Sequence, residues 1–500
     1  MASESPSCPL PYRFQFIHSK GALLVLFWDF MIAISMNMIR NFMAYSSDFG
    51  LLVGIVDIGI AFILILAGFL GDFLVSRYKF VLVGSCISFI IMIPVIIMAT
   101  LLPSSHLLLA LKCLIPIVMI TNAIVRVNLL PFNIDQLIGS SSDELTAVIL
   151  WHNTGPIIAI ISSSAITAEV NSELTVSIIS LAIGVFCIAT VLISHSLFKK
   201  YLEVTPVNTV NPLKIIIQEE APSRLELGKN KYGGPFTEEE VEDVKTTLRL
   251  LPLLIICAAS SSLYGDNTQG IYSNNYGCGG SLKSYMSFVG TYILIVLLHQ
   301  FLIYPCFYNY VPSMLKRIGI GMLLMVVINA TLMVLALIGN YNSAPMFHCL
   351  TVYKVESNIE PQKWDIIDGI ALALVWYSFN VVLVEFLQAQ CPKSIRGTIV
   401  GLWLCFRDLR HYVNFALFLP FLIFMDPKFS LGRGFYFCLT EAMICLILLL
   451  IYVILAKQYK LRVRNFEINI HQIAEDHTIR NIEQDEEYWN NREISAEMSH

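Results

Sequence analysis

The chain has 500 residues, of which 56% are hydrophobic and 14% are charged, and its mean hydropathy is +0.68. A soluble chain is nearer to a quarter charged, so this excess of apolar side chains is expected to face lipid. The formal net charge of -5 is small for this length and gives no reason to expect a nucleic-acid partner. The composition therefore excludes an ordinary soluble protein and predicts an integral membrane protein.

Apolar runs of about twenty residues recur along the chain, and each is long enough to cross a membrane as a helix. The first and the eleventh run also carry charged residues. We count about twelve runs, at 21–46, 50–71, 80–102, 105–131, 146–168, 174–198, 248–272, 284–307, 317–340, 366–390, 397–424 and 434–457.

The longest polar insert separates the sixth run from the seventh, which predicts two six-helix bundles joined by a linker. We expect a cytosolic N-terminus at 1–20, bundles at 21–198 and 246–457, a cytosolic linker at 199–245, and an acidic, disordered cytosolic tail at 458–500. Basic residues concentrate in alternate loops, and by the positive-inside rule both termini then lie in the cytosol. Whether Cys278 and Cys349, in two loops of the opposite side, form a disulfide stays open, because the sequence does not give their separation.

Residues 68–79 read GFLGDFLVSRYK and follow the second run. Gly68 would let two helices approach closely, Asp72 would accept hydrogen bonds at a helix terminus, and Arg77 would remain in the cytosol. The segment resembles the loop motif of the major facilitator superfamily, which is glycine–x–leucine–x–aspartate followed by basic residues.

Residues 233–245 read GGPFTEEEVEDVK and precede the seventh run. Thr237 is a candidate N-cap with Glu240 three residues later, so the segment is typical of a helix start. It also resembles the corresponding segment of peptide transporters, especially their histidine- and peptide-transporting branch.

Four further stretches are similar to signatures of the same family: RVNLLPFNIDQ at 126–136, NTG at 153–155, PSMLKRIGIG at 312–321, and EFLQAQCPKSIRG at 385–397. Together they cover about residues 20–460. By this resemblance the chain is identified as a diverged member of the proton-dependent oligopeptide transporter family, within the major facilitator superfamily. The resemblance implies an all-α fold of two six-helix bundles.

The resemblance also implies proton-driven import of di- and tripeptides, and sometimes of histidine, by alternating access around a central site. Arg126 stands where the family has a lysine that contacts the peptide carboxylate. Asn153 stands where an asparagine bonds the peptide backbone. Gln269 lies near the family's polar cavity residues on the seventh span.

The first span departs from the family pattern, glutamate–x–x–glutamate–arginine–phenylalanine, which serves proton coupling and gating. Anchoring on the segment 41–45 puts Trp28, Met31, Ile32 and Ala33 at these positions. Asp29 and Arg40 are nearby, but one residue along a helix turns the side chain by about 100°. We therefore expect neither to replace the missing group, and proton coupling becomes doubtful.

The tenth and eleventh spans depart too. Trp376 stands where the family has the glutamate that binds the peptide amino group, and charges appear at 407–411. A charge within a bilayer costs about 2.5–3.5 kcal/mol on insertion scales, so Arg126 needs an acidic partner. Asp266 and Asp408 are the two candidates.

The candidate gating or proton-coupling residues are Asp266, Glu385, Arg407 and Asp408. A structural role at a helix end is the alternative for Glu385, and water exposure at a helix end is the alternative for Asp266. The Arg407–Asp408 region is either a self-paired cluster or a water-lined gate. His152 is expected to point away from the face of Asn153.

The sequence thus predicts a secondary transporter of short peptides or histidine-like solutes, binding through Arg126, Asn153, Gln269 and Trp376. Its partners would be this small-molecule substrate, the lipid membrane and, less surely, protons. No catalytic constellation, P-loop, metal-ligand cluster or cofactor motif is found in the sequence, so an enzyme is not expected. An uncoupled facilitator of another small solute and a non-transporting membrane scaffold or sensor remain alternatives, as do the plasma and endolysosomal membranes.

Overall fold

The structure is a computed structural model, and it describes residues 17–44, 50–100, 105–137, 142–168, 173–204, 238–263, 282–307, 311–337, 365–424 and 430–459. Twelve long helices fill these ranges, and no strand occurs within them. The first six helices are α1 (Lys20–Ala44), α2 (Gly50–Phe73), α3 (Arg77–Thr100), α4 (Ser105–Asp135), α5 (Ser142–Ala168) and α6 (Glu173–Phe198).

The second six helices begin after the predicted linker, and two of them contain a π-helical stretch. They are α7 (Glu238–Leu263), α8 (282–307, π-helical at His299–Ile303), α9 (Met314–Leu337), α10 (365–390, π-helical at Trp376–Val381), α11 (Arg396–Phe424) and α12 (Ser430–Gln458). Short 3₁₀ turns follow α6 at Lys199–Tyr201 and precede α11 at Lys393–Ile395.

Eleven of these helices are long and apolar enough to cross a membrane, judged by length and composition. The exception is α11, because Arg407, Asp408 and Arg410 interrupt its apolar sequence. Helices of this kind satisfy all their backbone hydrogen bonds internally, as lipid requires. The chain is therefore an integral, multi-pass membrane protein, and the predicted all-α fold is confirmed.

The helices pack as two groups of six. In the first group α1 contacts α4, α5 and α6, and α3 contacts α4 and α6; in the second group α9 contacts α10 and α12, and α8 contacts α10. Extensive contact between α2 and α11, and a smaller one between α5 and α8, join the two groups. We call the groups the first and the second bundle.

The helix boundaries differ from the prediction mainly at the linker. Helix α7 begins at Glu238 rather than near 248, because the acidic segment 238–245 forms helical turns ahead of the apolar run. This is where the sequence placed a helix start, although Thr237 lies outside the described residues. The bundle and linker limits otherwise stay a prediction.

The two π-helical stretches were not predicted. They face each other, because the Tyr377 hydroxyl of α10 is hydrogen-bonded to His299 Nδ1 of α8. Such stretches widen a helix by one residue and often occur at functional sites. The π-helical stretch of α10 begins at Trp376, one of the predicted binding residues.

Candidate functional site

A cavity of about 210 Å³ lies between the two bundles. Its wall is built by α1, α2, α4 and α5 of the first bundle and by α8, α10 and α11 of the second. The wall is rich in ionisable side chains, which are Asp29, Arg40, Asp57, Arg126, His152, Arg407, Asp408 and Arg410. Charges within membrane-spanning helices are costly unless they are paired or functional, so this cavity is the candidate site.

Three of these charges form a chain that crosses from one bundle to the other. Arg126 Nη1 of α4 lies 3.7 Å from Asp408 Oδ2 of α11. Arg407 Nε lies 3.4 Å from the other oxygen, Asp408 Oδ1. Asp408 therefore pairs with Arg126, as one of the two sequence-based alternatives had it, and with Arg407 of its own helix.

The first span contributes charged side chains to the cavity wall, which the resemblance to the family did not indicate. Asp29 Oδ2 lies 3.3 Å from His152 Nδ1 of α5, and Arg40 Nη2 lies 3.6 Å from Asp57 Oδ1 of α2. All four residues line the cavity. His152 and Asn153 are adjacent residues on different faces of α5, and the cavity is broad enough to include both.

The spacing of Asp29 and Arg40 offered a signal that was overlooked. They are eleven residues apart, which is about three helical turns, so both lie on the same face of α1. Trp28 lies about 100° from Asp29 around the helix, and its Nε1 donates a hydrogen bond to Ser194 Oγ of α6 at 2.8 Å. Trp28, which stands at the position of the family's first glutamate, thus packs inside the first bundle, while the next residue, Asp29, reaches the cavity.

Asn153 and Trp376 both lie in the cavity wall. Asn153 Nδ2 donates to the carbonyl oxygen of Ile149, one turn earlier in α5, at 2.8 Å. The Trp376 ring meets the Phe288 ring edge-on, with 6.2 Å between centroids, and the Arg410 guanidinium lies 5.5 Å from the Trp376 centroid. Trp376 thus forms an aromatic part of the cavity wall, and its ring makes a cation–π contact with Arg410.

Asp72 links the two bundles at one end of the molecule. It accepts hydrogen bonds from the backbone N–H of Gly397 at 3.0 Å and from the backbone N–H and hydroxyl of Thr398 at 2.7 and 2.9 Å. These N–H groups belong to the first turn of α11, which has no intrahelical acceptors for them. Asp72 of α2 therefore caps a helix of the other bundle.

The remaining members of the loop motif support this link. Arg77 donates to Asp72 Oδ1 at 2.5 Å and to Asp135 Oδ2 at 2.8 Å. Gly68 lies against the backbone of α11, where an added Cβ would be 2.2 Å from the Gly397 carbonyl oxygen. Close approach of α2 and α11 at this point therefore requires glycine.

Glu385 lies away from the cavity. Its carboxylate Oε2 is 3.3 Å from Arg317 Nη2 of α9, and it does not line the cavity wall. This position fits a structural role for Glu385 better than a role in gating or proton coupling. Asp266, Gln269, Cys278 and Cys349 lie outside the described residues.

No protein-family model matches the chain. The fold nevertheless matches solved transporters. The crystal structure of the POT family transporter PepTSo aligns with a TM-score of 0.59 at 14% identity, over 88% of this chain and 99% of that chain. An auto-inhibited POT family peptide transporter gives 0.56 at 13% identity, over 89% and 98%.

A third structure, a POT family transporter in complex with 5-aminolevulinic acid, aligns with a TM-score of 0.56 at 13% identity, over 88% of this chain and 97% of that chain. The alignments span nearly the whole length of each transporter, so both bundles and their arrangement are matched. At these identities the likeness concerns the fold. The chain therefore has the major facilitator fold in the form found in POT family transporters.

Proposed function

We propose that this protein is a secondary transporter that moves short peptides or histidine-like amino acids across a membrane by alternating access. The observation that carries the proposal is the cavity between the bundles, whose wall combines Arg126 and Asn153 of the first bundle with Trp376 and Asp408 of the second. A membrane scaffold has no need of a charged cavity between its bundles, because charges within membrane-spanning helices are costly.

The solved structures of the same fold support this class of function. They include an auto-inhibited POT family peptide transporter, and POT family transporters in complex with 5-aminolevulinic acid and with a thioalcohol-conjugated peptide. From these structures we propose for this chain only that a small solute is held between the two bundles. Arg126 would bind the carboxylate, since guanidinium and carboxylate form two parallel hydrogen bonds, and Asn153 would bond the solute backbone.

Alternating access requires contacts between the bundles that form and break. The Arg126–Asp408 ion pair and the Asp72 cap on α11 both cross between bundles, so each is suited to stabilise one state. By the predicted topology the Asp72 end faces the cytosol, as do both termini.

Proton coupling, if the transporter has it, is assigned here to Asp29 and His152. Their side chains lie 3.3 Å apart, largely buried, in the wall of the cavity. Histidine is the side chain whose charge changes nearest to neutral pH. An uncoupled facilitator is the second candidate, because the acidic motif of the first span is replaced by Trp28, Met31 and Ile32.

The test is uptake of labelled dialanine and labelled histidine into proteoliposomes, with and without an inward proton gradient. We expect saturable uptake that Arg126→Ala removes. Stimulation by the gradient would identify a proton-coupled transporter, and equal rates with and without it would identify a facilitator. Absence of uptake of either solute by well-folded protein would overturn the proposal.

A further inference from the structure

Each aspartate in the described part of the cavity wall already lies near a base. The Asp29 carboxylate is 3.3 Å from His152 Nδ1 and is almost completely buried, while the Asp57 carboxylate is 3.6 Å from Arg40 Nη2. Asp408 lies between two arginines. The charge of each of these carboxylates is therefore balanced by a neighbouring base, with which the ammonium group of a bound solute would have to compete.

The arginines of the wall, unlike the aspartates, do not each have a carboxylate of their own. Arg126 and Arg407 share the single carboxylate of Asp408, at 3.7 and 3.4 Å. In the described part of the cavity wall the arginines outnumber the aspartates by four to three, so the wall has one arginine charge in excess. A charge removed from water is stabilised only when it is paired and hydrogen-bonded. One further carboxylate would balance this excess, and a solute entering the cavity can supply it.

Two neutral side chains of the wall add unused hydrogen-bonding capacity. Trp376 Nε1 and both amide atoms of Gln388 are buried and have no hydrogen-bond partner among the described residues. Both side chains line the cavity. Indole can only donate and the amide can donate and accept, and buried groups of this kind normally have a partner. Together with the arginines, they present a surface that matches carboxylate and peptide carbonyl oxygens.

We propose that the cavity selects its solute by one carboxylate group, requires no free amino group, and keeps Asp408 as a tethered anion between Arg126 and Arg407 when no solute is bound. The solute class is then a small monocarboxylate, including peptides whose amino end is blocked. On binding, the solute carboxylate takes the place of Asp408 on one arginine while Asp408 stays with the other. This inference rests on the proposed transport function and narrows it to a substrate class.

The direct test compares three probes that differ only at their ends: dialanine, N-acetyl-dialanine and dialanine amide. Binding to the purified full chain in detergent is measured from the rise in melting temperature with probe concentration. We expect dialanine and N-acetyl-dialanine to bind within about threefold of each other, and dialanine amide to bind at least about tenfold more weakly, the loss expected for one charge-assisted hydrogen bond. Equal binding of the amide, binding of dialanine without N-acetyl-dialanine, or binding of none of the three would overturn the inference.

Three variants locate the carboxylate site. Arg126→Gln is expected to weaken N-acetyl-dialanine binding at least about tenfold, while Arg249→Gln, the same change at an exposed position of α7, leaves it unchanged. Asp408→Asn removes the tethered anion and is expected to tighten binding by several-fold. Weaker or unchanged binding in Asp408→Asn, with its unliganded melting temperature retained, would contradict the role assigned to Asp408.

Asp57→Asn provides the control for an amino-group site. Asp57 is the most exposed of the three wall aspartates, so it is the best-placed carboxylate for a solute ammonium group. We expect the ratio of dialanine to N-acetyl-dialanine affinity to stay the same in this variant. A selective loss of dialanine binding would show that Asp57 receives the amino group and would overturn the inference.

Uptake separates this inference from the proposed function. Carboxylate-dependent binding without uptake into proteoliposomes would contradict transport and leave the binding site as described. Uptake of dialanine and dialanine amide at equal rates would support transport and overturn carboxylate selection.

Discussion

Charged residues inside the helices differ in whether they face the cavity or another helix. Arg126, Arg407 and Asp408 line the cavity, where a solute can exchange with an internal partner. Glu385 and Arg317 pair with each other outside the cavity, where no exchange is expected. The first group should therefore control binding, and the second should control stability.

The Glu385–Arg317 pair gives a stability prediction. Glu385→Gln leaves the Arg317 charge buried without its carboxylate, and breaking a buried pair costs about 3–5 kcal/mol. We expect a loss of this order in the free energy of unfolding in mixed micelles, with the KM for uptake unchanged. Replacing both residues by leucine should recover much of the stability, since an apolar pair can substitute for a buried ion pair. A changed KM with unchanged stability would assign Glu385 to the transport site.

His152 gives a prediction about coupling. If Asp29 and His152 carry the proton, His152→Gln should abolish stimulation of uptake by an inward proton gradient. Exchange of labelled for unlabelled solute should remain, because exchange requires no net proton movement. The other charged side chains of the cavity wall are unchanged in this variant. Loss of both activities together would instead indicate that His152 binds the solute.

At the scale of the helices, the contact between α2 and α11 depends on small residues. An added Cβ at Gly68 would lie 2.2 Å from the Gly397 carbonyl oxygen, and one at Gly401 would lie 2.4 Å from the Leu64 carbonyl oxygen. Backbone atoms cannot move aside as a flexible side chain can. The two helices must therefore separate if either glycine is replaced.

Gly68→Ala is expected to destabilise the protein by about 1–3 kcal/mol, the usual cost of overpacking, and to slow uptake. Gly59→Ala is the matched control, because an added Cβ at Gly59 of the same helix meets no atom within 4 Å. Melting temperature in detergent and the initial uptake rate measure the two effects. Equal behaviour of both variants would show that α2 and α11 need not approach so closely.

Asp72→Asn tests the cap that α2 places on α11. The amide retains one acceptor oxygen but loses the charge that faces Arg77 and the helix N-terminus. We expect the ends of the two bundles to separate more often, which spin labels at the exposed positions Leu74 and Lys316 would report as a larger population of long distances. An unchanged distance distribution would mean that the cap does not hold the bundles together.

At this scale the sequence predicted most of the helices, because runs of about twenty apolar residues are a strong signal. The predicted spans 50–71 and 397–424 agree closely with α2 (Gly50–Phe73) and α11 (Arg396–Phe424). The π-helical stretches at 299–303 and 376–381 were missed, since hydropathy does not report local hydrogen-bond register. The start of α7 at Glu238 was indicated by the capping pattern at 237–240 and not by hydropathy, because polar turns before a span carry no hydropathy signal.

At the scale of the whole molecule, the sequence predicted the site where a position could be aligned with a family signature or where charges interrupted an apolar run. Arg126, Asn153, Trp376, Arg407 and Asp408 were named from the sequence, and all five line the cavity. Residues of the first two spans were missed, because Asp57 lay in no recognised motif and Asp29 and Arg40 fell beside the positions of a lost one. Pairings between helices, such as Asp29 with His152, depend on packing that one sequence does not contain.

We propose above all that a solute bound between the bundles is carried from one side of the membrane to the other. The most direct measurement is counterflow: entry of labelled dialanine into proteoliposomes that are empty or preloaded with unlabelled dialanine, with no ion gradient. We expect preloading to accelerate entry severalfold in the wild type and to have no effect in Arg126→Gln. Entry at the same rate with and without preloading, or at the rate of protein-free vesicles, would contradict alternating access through this cavity.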